Sequence, residues 1–223
     1  DANSVYQQGF IIAVLYPSVE TFGFYSSGYD KTDQLGTVTN VDGRILNTID
    51  NQPAFDVYNL WRKNIGFEQL KAGNILAQST MTPLARALSS DDDIPRLLLS
   101  HPAVAENGTL ELFSNLSVGD TVYLASGSPE QLIKRGDMVV SSLTKLADLH
   151  AIKNIKGAII IFCGGCMLSI QSAMQEVKHS IAAQLPNTPF IMGFTFGELG
   201  TFSDSTSKHG NLMISCEIFG DSV

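Results

Sequence analysis

The chain has 223 residues, with 44% hydrophobic and 16% charged positions, enough apolar material to bury a core and too much for a disordered chain. Fourteen basic against twenty-two acidic residues leave a net charge of −8, which disfavours binding to a phosphate backbone. No apolar run approaches the roughly 20 residues that span a bilayer. The first residue is Asp1 rather than Met, so a fragment of a longer protein is expected. Three cysteines, an odd count, do not make the dense even pattern of a disulfide-stapled secreted domain, and a reducing, cytoplasmic setting is expected.

In chain order, residues 9–16 (GFIIAVLY) and 21–29 (TFGFYSSGY) read as strands. Residues 36–41 and 44–49 flank Asp42-Gly43, and Asp-Gly between alternating runs predicts a hairpin with both turn residues at positive φ. A helix follows, with Asn51 as N-cap and Pro53 in its first turn. Ala54, Val57, Tyr58, Trp61 and Ile65 form its apolar face and Gly66 ends it. Residues 67–72 are expected to add one more turn. Residues 79–90 carry no clear pattern, and Asp91 to Asp93 read as a solvated loop.

Residues 96–101 (RLLLSH) and 121–125 (TVYLA) read as strands, with a hairpin around Asn107-Gly108 and a loop over 115–120 between them. Ser128 caps a helix from Pro129, with apolar positions from Leu132 to Ile152. This is one long helix or two, with Gly136 as the weak point. Residues 158–163 (AIIIFC) form a buried strand, and Gly164-Gly165 a turn. A helix capped by Ser169 runs to Leu185 and is broken by Pro186 and Pro189. Residues 190–196 and 211–219 are strands joined by a Gly/Ser/Thr-rich loop over 197–210. Hairpins interleaved with helices predict an α+β fold, a mostly antiparallel mixed sheet packed with helices.

Three stretches resemble the FIST sensory domain of bacterial signal-transduction proteins. They are TVTNVDGRILNTIDNQPAFDVY, RLLLSHPAVAENGTLELFSNLSVGDTVYL, and the C-terminal IFCGGC, TPFIMGFTFGELG and HGNLMISCEIFG. A strand ending in Cys, a later GF-x-x-GE-[IL]-G and an Asn-Leu-bearing last strand carry most of the likeness. It covers residues 31–223 as the C-terminal domain, with 1–30 as tail strands of the N-terminal half. The family's Arg shortly after Cys-x-Gly is replaced here by Cys166-Met167. The resemblance implies a non-enzymatic sensor that binds a small ligand, amino acids among them, and signals to an output domain or protein such as a kinase, cyclase or chemotaxis module.

The chemistry-bearing residues fall near the C-terminus. Cys163-Gly164-Gly165-Cys166 joins a buried strand to a helix, where the helix dipole favours a thiolate. A thioredoxin-like role is disfavoured because no β-α-β unit is seen to lead into the motif. Cys163, Cys166, His209 and Cys216 make a poor zinc set, since the second pair lacks ligand spacing. Gly164 and Gly165 present backbone N–H groups to a carboxylate, or else pack strand against helix. Glu198, between Gly197 and Gly200, holds a ligand ammonium or accepts hydrogen bonds within its own turn. No histidine among His101, His150, His179 and His209 falls in a catalytic pattern, so no catalytic base, metal or cofactor is assigned. The expected ligand-binding set is Cys163, Gly164, Gly165, Thr195, Gly197, Glu198 and Asn211, at two strand ends expected to lie together. Against the sensor stand two rivals, a protein-interaction scaffold without a small ligand and a thiol oxidoreductase using the CGGC motif.

Overall fold

The computed structural model describes residues 12–88, 96–149, 152–201 and 206–222. The strands are β1 (Glu20–Ser26), β2 (Asp30–Asp42), β3 (Ile45–Ile49), β4 (Gln52–Pro53), β5 (Gly73–Asn74), β6 (Leu84–Leu88), β7 (Arg96–Ser100), β8 (Pro102–Glu106), β9 (Thr109–Leu112), β10 (Thr121–Ser126), β11 (Ile152–Cys163), β12 (Phe190–Thr195), β13 (Glu198–Thr201), β14 (Ser207–Gly210) and β15 (Ile214–Ser222). The helices are α1 (Ala54–Asn64), α2 (Leu76–Ser79), α3 (Pro129–Leu149), α4 (Gly164–Ser169) and α5 (Met174–Gln184), with a 3₁₀ turn at Gln171–Ala173. The fold is α+β. Nine strands form one sheet, ordered β5-β8-β9-β3-β2-β10-β6-β7 with β4 on β3. Four form a second, ordered β1-β15-β11-β12, and β13 pairs with β14. Among the described residues all pairings are antiparallel except β11 with β12.

Each large sheet has its own core. Trp61, Tyr58 and Val57 on α1 pack with Val38, Leu46, Ile49, Leu110 and Leu124 of the nine-stranded sheet. On the four-stranded sheet, Ile160 and Phe162 of β11 are fully buried among Leu132, Val139, Val177 and Ile181 of α3 and α5, while Ile159 before them is 38% exposed and Ile161 between them is half-buried. That alternation is the period of a strand with one face against helices. Gly136 does not break α3. A Cβ there would stand 3.1 Å from Ile181 Cδ1, so the missing side chain lets α5 approach.

Several expectations are corrected. Residues 12–16 form no strand, and Tyr16 is 91% exposed; residues 9–11 lie outside the described residues, as do Asp91 to Asp93. Asp42 still belongs to β2, opposite Ile45, so the hairpin's central pair is Gly43-Arg44, with Gly43 at φ 56. A two-residue turn with both φ positive stands instead at Asp50-Asn51 (φ 49 and 61), which joins β3 to β4. That turn uses Asn51, so it is not the N-cap of α1; Pro53 stands there without a side-chain bond. Asn107-Gly108 (φ 48 and 80) turns as expected. Residues 67–72 are not helical, and residues 79–90 include the end of α2 and all of β6.

Toward the C-terminus, Ile152 belongs to β11 rather than to α3. Gly164 and Gly165 open α4 instead of making a turn, so helix starts at the end of the strand. Ser169 closes α4, its Oγ donating to Gly165 O at 3.0 Å, and caps nothing downstream. The loop over 197–210 contains the β13 and β14 hairpin, and β15 begins at Ile214, so residues 211–213 enter it as a loop. Among the described residues no helix is long and apolar enough to cross a membrane.

Candidate functional site

β11 and β12 run parallel with Cys163 opposite Thr195, so the two strand ends lie side by side. Parallel pairing requires a crossover, and α4, the 3₁₀ turn and α5 supply it. Cys163 therefore ends the first strand of a β-α-β unit, and the CGGC motif opens its crossover; what leads into the motif, β10 of the nine-stranded sheet followed by α3 and β11, is not such a unit.

Beside these ends lies a cavity of about 690 Å³. One wall is Arg44, Asn74, Leu76, Ala77, Thr80, His101 and Phe113, from the nine-stranded sheet and its connections. The other is Cys163, Gly165, Leu168, Ser169, Phe196, Gly197, His209, Asn211 and Leu212. Of the expected site, Cys163, Gly165, Gly197 and Asn211 line the cavity, and Gly164, Thr195 and Glu198 do not.

The wall is tightly held. Asn211 N–H donates to Leu99 O at 3.0 Å, and Asn211 Oδ1 accepts the His101 N–H at 3.1 Å. This stitches the loop before β15 to the end of β7. His101 Nε2 donates to Leu76 O at 3.0 Å, and burial pushes the ring down to about 4, so the imidazole is neutral. Gly197 has φ 92, and a Cβ there would stand 3.0 Å from His209 Nε2, so only glycine fits. Leu212 adopts φ 58, uncommon for a residue with a Cβ and the kind of strain that gathers at functional sites.

Glu198 is 1% exposed. Its Oε1 accepts the Thr195 hydroxyl at 3.0 Å and its Oε2 the Met213 N–H at 3.1 Å, while its carbonyl accepts Tyr25 Oη–H at 2.8 Å. Burial pushes the carboxyl up to about 7. Of the two roles read from sequence, the hydrogen bonds are those of the turn-holding one. Gly164 is packed rather than open, since a Cβ would lie 3.1 Å from Thr195 O; at Gly165 the nearest atom, Cys163 Sγ, is 3.7 Å away.

Arg135 was not read from sequence as part of any site. It is fully buried, and its Nη1 donates to Ser27 O at 3.2 Å and Leu212 O at 2.7 Å. Its guanidinium lies 4.2 Å from the Phe162 ring centroid, while Nε and Nη2 have no hydrogen-bond partner. The available signal was its place in the stripe with Leu132 and Val139, where a cation interrupts an apolar face.

A family model described as FIST C domain matches residues 54–201. No curated protein and no solved structure matches the chain.

Proposed function

The chain belongs to the FIST C domain family, a family of sensory signal-transduction domains, and from that premise we propose that it binds a small organic ligand in the cavity between its two sheets. The observation that carries this reading is the cavity itself. It has the size of a small-molecule site and joins an apolar lining to a few polar groups. Leu76, Leu168, Phe113, Phe196 and Leu212 offer contact to an apolar body, while Arg44, Asn211 and the start of α4 at Gly165 suit a carboxylate. Amino acids belong to that ligand class. Glu198 supports the wall in this reading rather than holding an ammonium group, because both its oxygens are engaged. The role is non-enzymatic: His101 is neutral and tied to Leu76 O, and Glu198 is buried and does not line the cavity. The signal passes to an output domain or protein, in the cytoplasm.

A thermal-shift screen of amino acids and other small carboxylates tests this on the wild type, Phe196→Ala and Gly165→Val. Phe196 is 82% exposed, so its loss leaves the unliganded melting temperature nearly unchanged. A ligand at a hundred times its Kd stabilises by about 2.7 kcal/mol, a rise of about 5–11 °C for a chain of this size. The wild type should show that rise with some compounds, and both variants should show less. A wild type that no compound shifts, or variants shifted equally, defeats the reading.

A further inference from the structure

We propose that Cys163 and Cys166 are a redox modification site, a dithiol that a small hydroperoxide entering the cavity converts to an intramolecular disulfide. This uses the cavity as an entrance and does not depend on the ligand proposed above. Cys163 stands at the N-cap of α4 and, though only 5% exposed, is among the residues lining the cavity, whereas Cys166, in the first turn, is fully buried and does not line it. The outer sulfur is therefore reachable and the inner one is placed to resolve it.

The surroundings are those of a charged thiol pair. Cys166 Sγ lies 3.8 Å from Tyr29 Oη and 3.8 Å from Leu212 O. Arg135 brings a fully buried guanidinium with two unpartnered nitrogens to the same place, and no described carboxylate forms an ion pair with it. Glu198 is held by Thr195 and Met213. A buried cation with idle N–H groups favours an anion beside it. Burial alone would raise Cys166, but Cys163, Arg135 and Tyr29 outweigh it and draw the thiol down to about 7. Cys163 is pushed well above the usual thiol range, chiefly by Cys166. The pair thus shares one proton and one negative charge. Cys216, in β15, has no such company and is pushed up to about 12 by burial.

The reaction proceeds in two displacements. The shared proton moves to Cys166 as the Cys163 sulfur attacks a peroxide oxygen; an S–O bond forms, the O–O bond breaks, and the departing alkoxide takes the proton from Cys166. The Cys166 thiolate then attacks the Cys163 sulfur, an S–S bond forms, the S–O bond breaks, and hydroxide leaves and takes a proton from solvent. The two sulfurs lose two electrons, the peroxide gains them, and the products are disulfide, alcohol and water. Oxidation removes the negative partner of Arg135, whose other bond fixes Leu212 in the cavity wall.

The test treats the intact chain with hydrogen peroxide, alkylates it after unfolding and maps its peptides by mass. The wild type should become two hydrogens lighter, lose two alkylatable thiols, keep Cys216 free and recover on treatment with dithiothreitol. In Cys166→Ser, dimedone should trap a sulfenic acid at Cys163. Arg135→Met should slow disulfide formation by about tenfold and Arg135→Lys should restore most of the rate, since a nearby cation sustains the thiolate. The wild-type measurement alone suffices if a variant does not fold. Three thiols still free after peroxide, or oxygen added without a Cys163 to Cys166 cross-link, would overturn the proposal.

Discussion

Replacing Glu198 by Gln should change how the stability of the protein depends on pH. The amide can keep both contacts, its oxygen accepting the Met213 N–H and its nitrogen donating to Thr195 Oγ1, but it does not titrate. In the folded wild type, burial raises the carboxyl from the ordinary 4.5 to about 7. Between those values the folded chain binds more protons than the unfolded one, so stability falls as pH rises through the window and is unaffected by this group below it. At about 1.4 kcal/mol per decade the loss is at most about 3 kcal/mol, or about 6–12 °C in melting temperature. His101 works in the opposite sense. Pushed down from 6.5 to about 4, it lowers stability as pH falls through that range. It is common to both proteins and cancels in the difference. Urea unfolding at pH 5, 6, 7 and 8, followed by the fluorescence of the single tryptophan, gives both curves. The Gln variant should gain on the wild type steadily up to about pH 7 and level off above it. A constant difference across the range, or a gap that closes as pH rises, refutes a buried, proton-binding Glu198.

Trp61→Ala should cost about 3–5 kcal/mol in denaturant unfolding, because the ring is 6% exposed in the core under α1; a loss near that of a surface change would mean the packing of α1 is wrong. Neighbouring glycines should respond with opposite signs to alanine. Gly164→Ala drives a methyl toward the paired backbone at Thr195 and should lower the melting temperature, while Gly165→Ala has room and should stabilise by up to about 1 kcal/mol, so equal shifts would remove the distinction between them.

Local chemistry was legible where one residue type dictates one backbone conformation. Asn107-Gly108 announced its turn, Ser128 its helix through the 3.2 Å bond from Gln131 N–H, and AIIIFC its strand. Reading failed where two segments offered the same signal. Asp42-Gly43 and Asp50-Asn51 both suit a turn with positive φ, and the pairing of β3 with β4 decides between them. Gly164 and Gly165 are poor helix formers by propensity, yet helix starts there because the parallel crossover must leave the strand at once. Four cavity residues were found because they flank strand ends visible in the sequence. Leu76, Ala77, Thr80 and Phe113 were not, since only tertiary folding brings them near Cys163. Arg135 escaped because a charged residue on a helix is ordinarily solvated, and its burial is set by the loop at Leu212.

The bonds that hold the cavity wall and its surroundings have a kinetic meaning. They join residues far apart in the chain: Tyr25 to Glu198 spans 173 positions, His101 to Asn211 110, and Arg135 to Ser27 108. Closing such long loops is entropically expensive before any contact rewards it, so these bonds belong late on the folding path. Interactions absent from the folding transition state act on the rate of unfolding and leave the rate of folding nearly untouched. Anything that occupies the space between the sheets would therefore prolong the lifetime of the native state without hastening its formation.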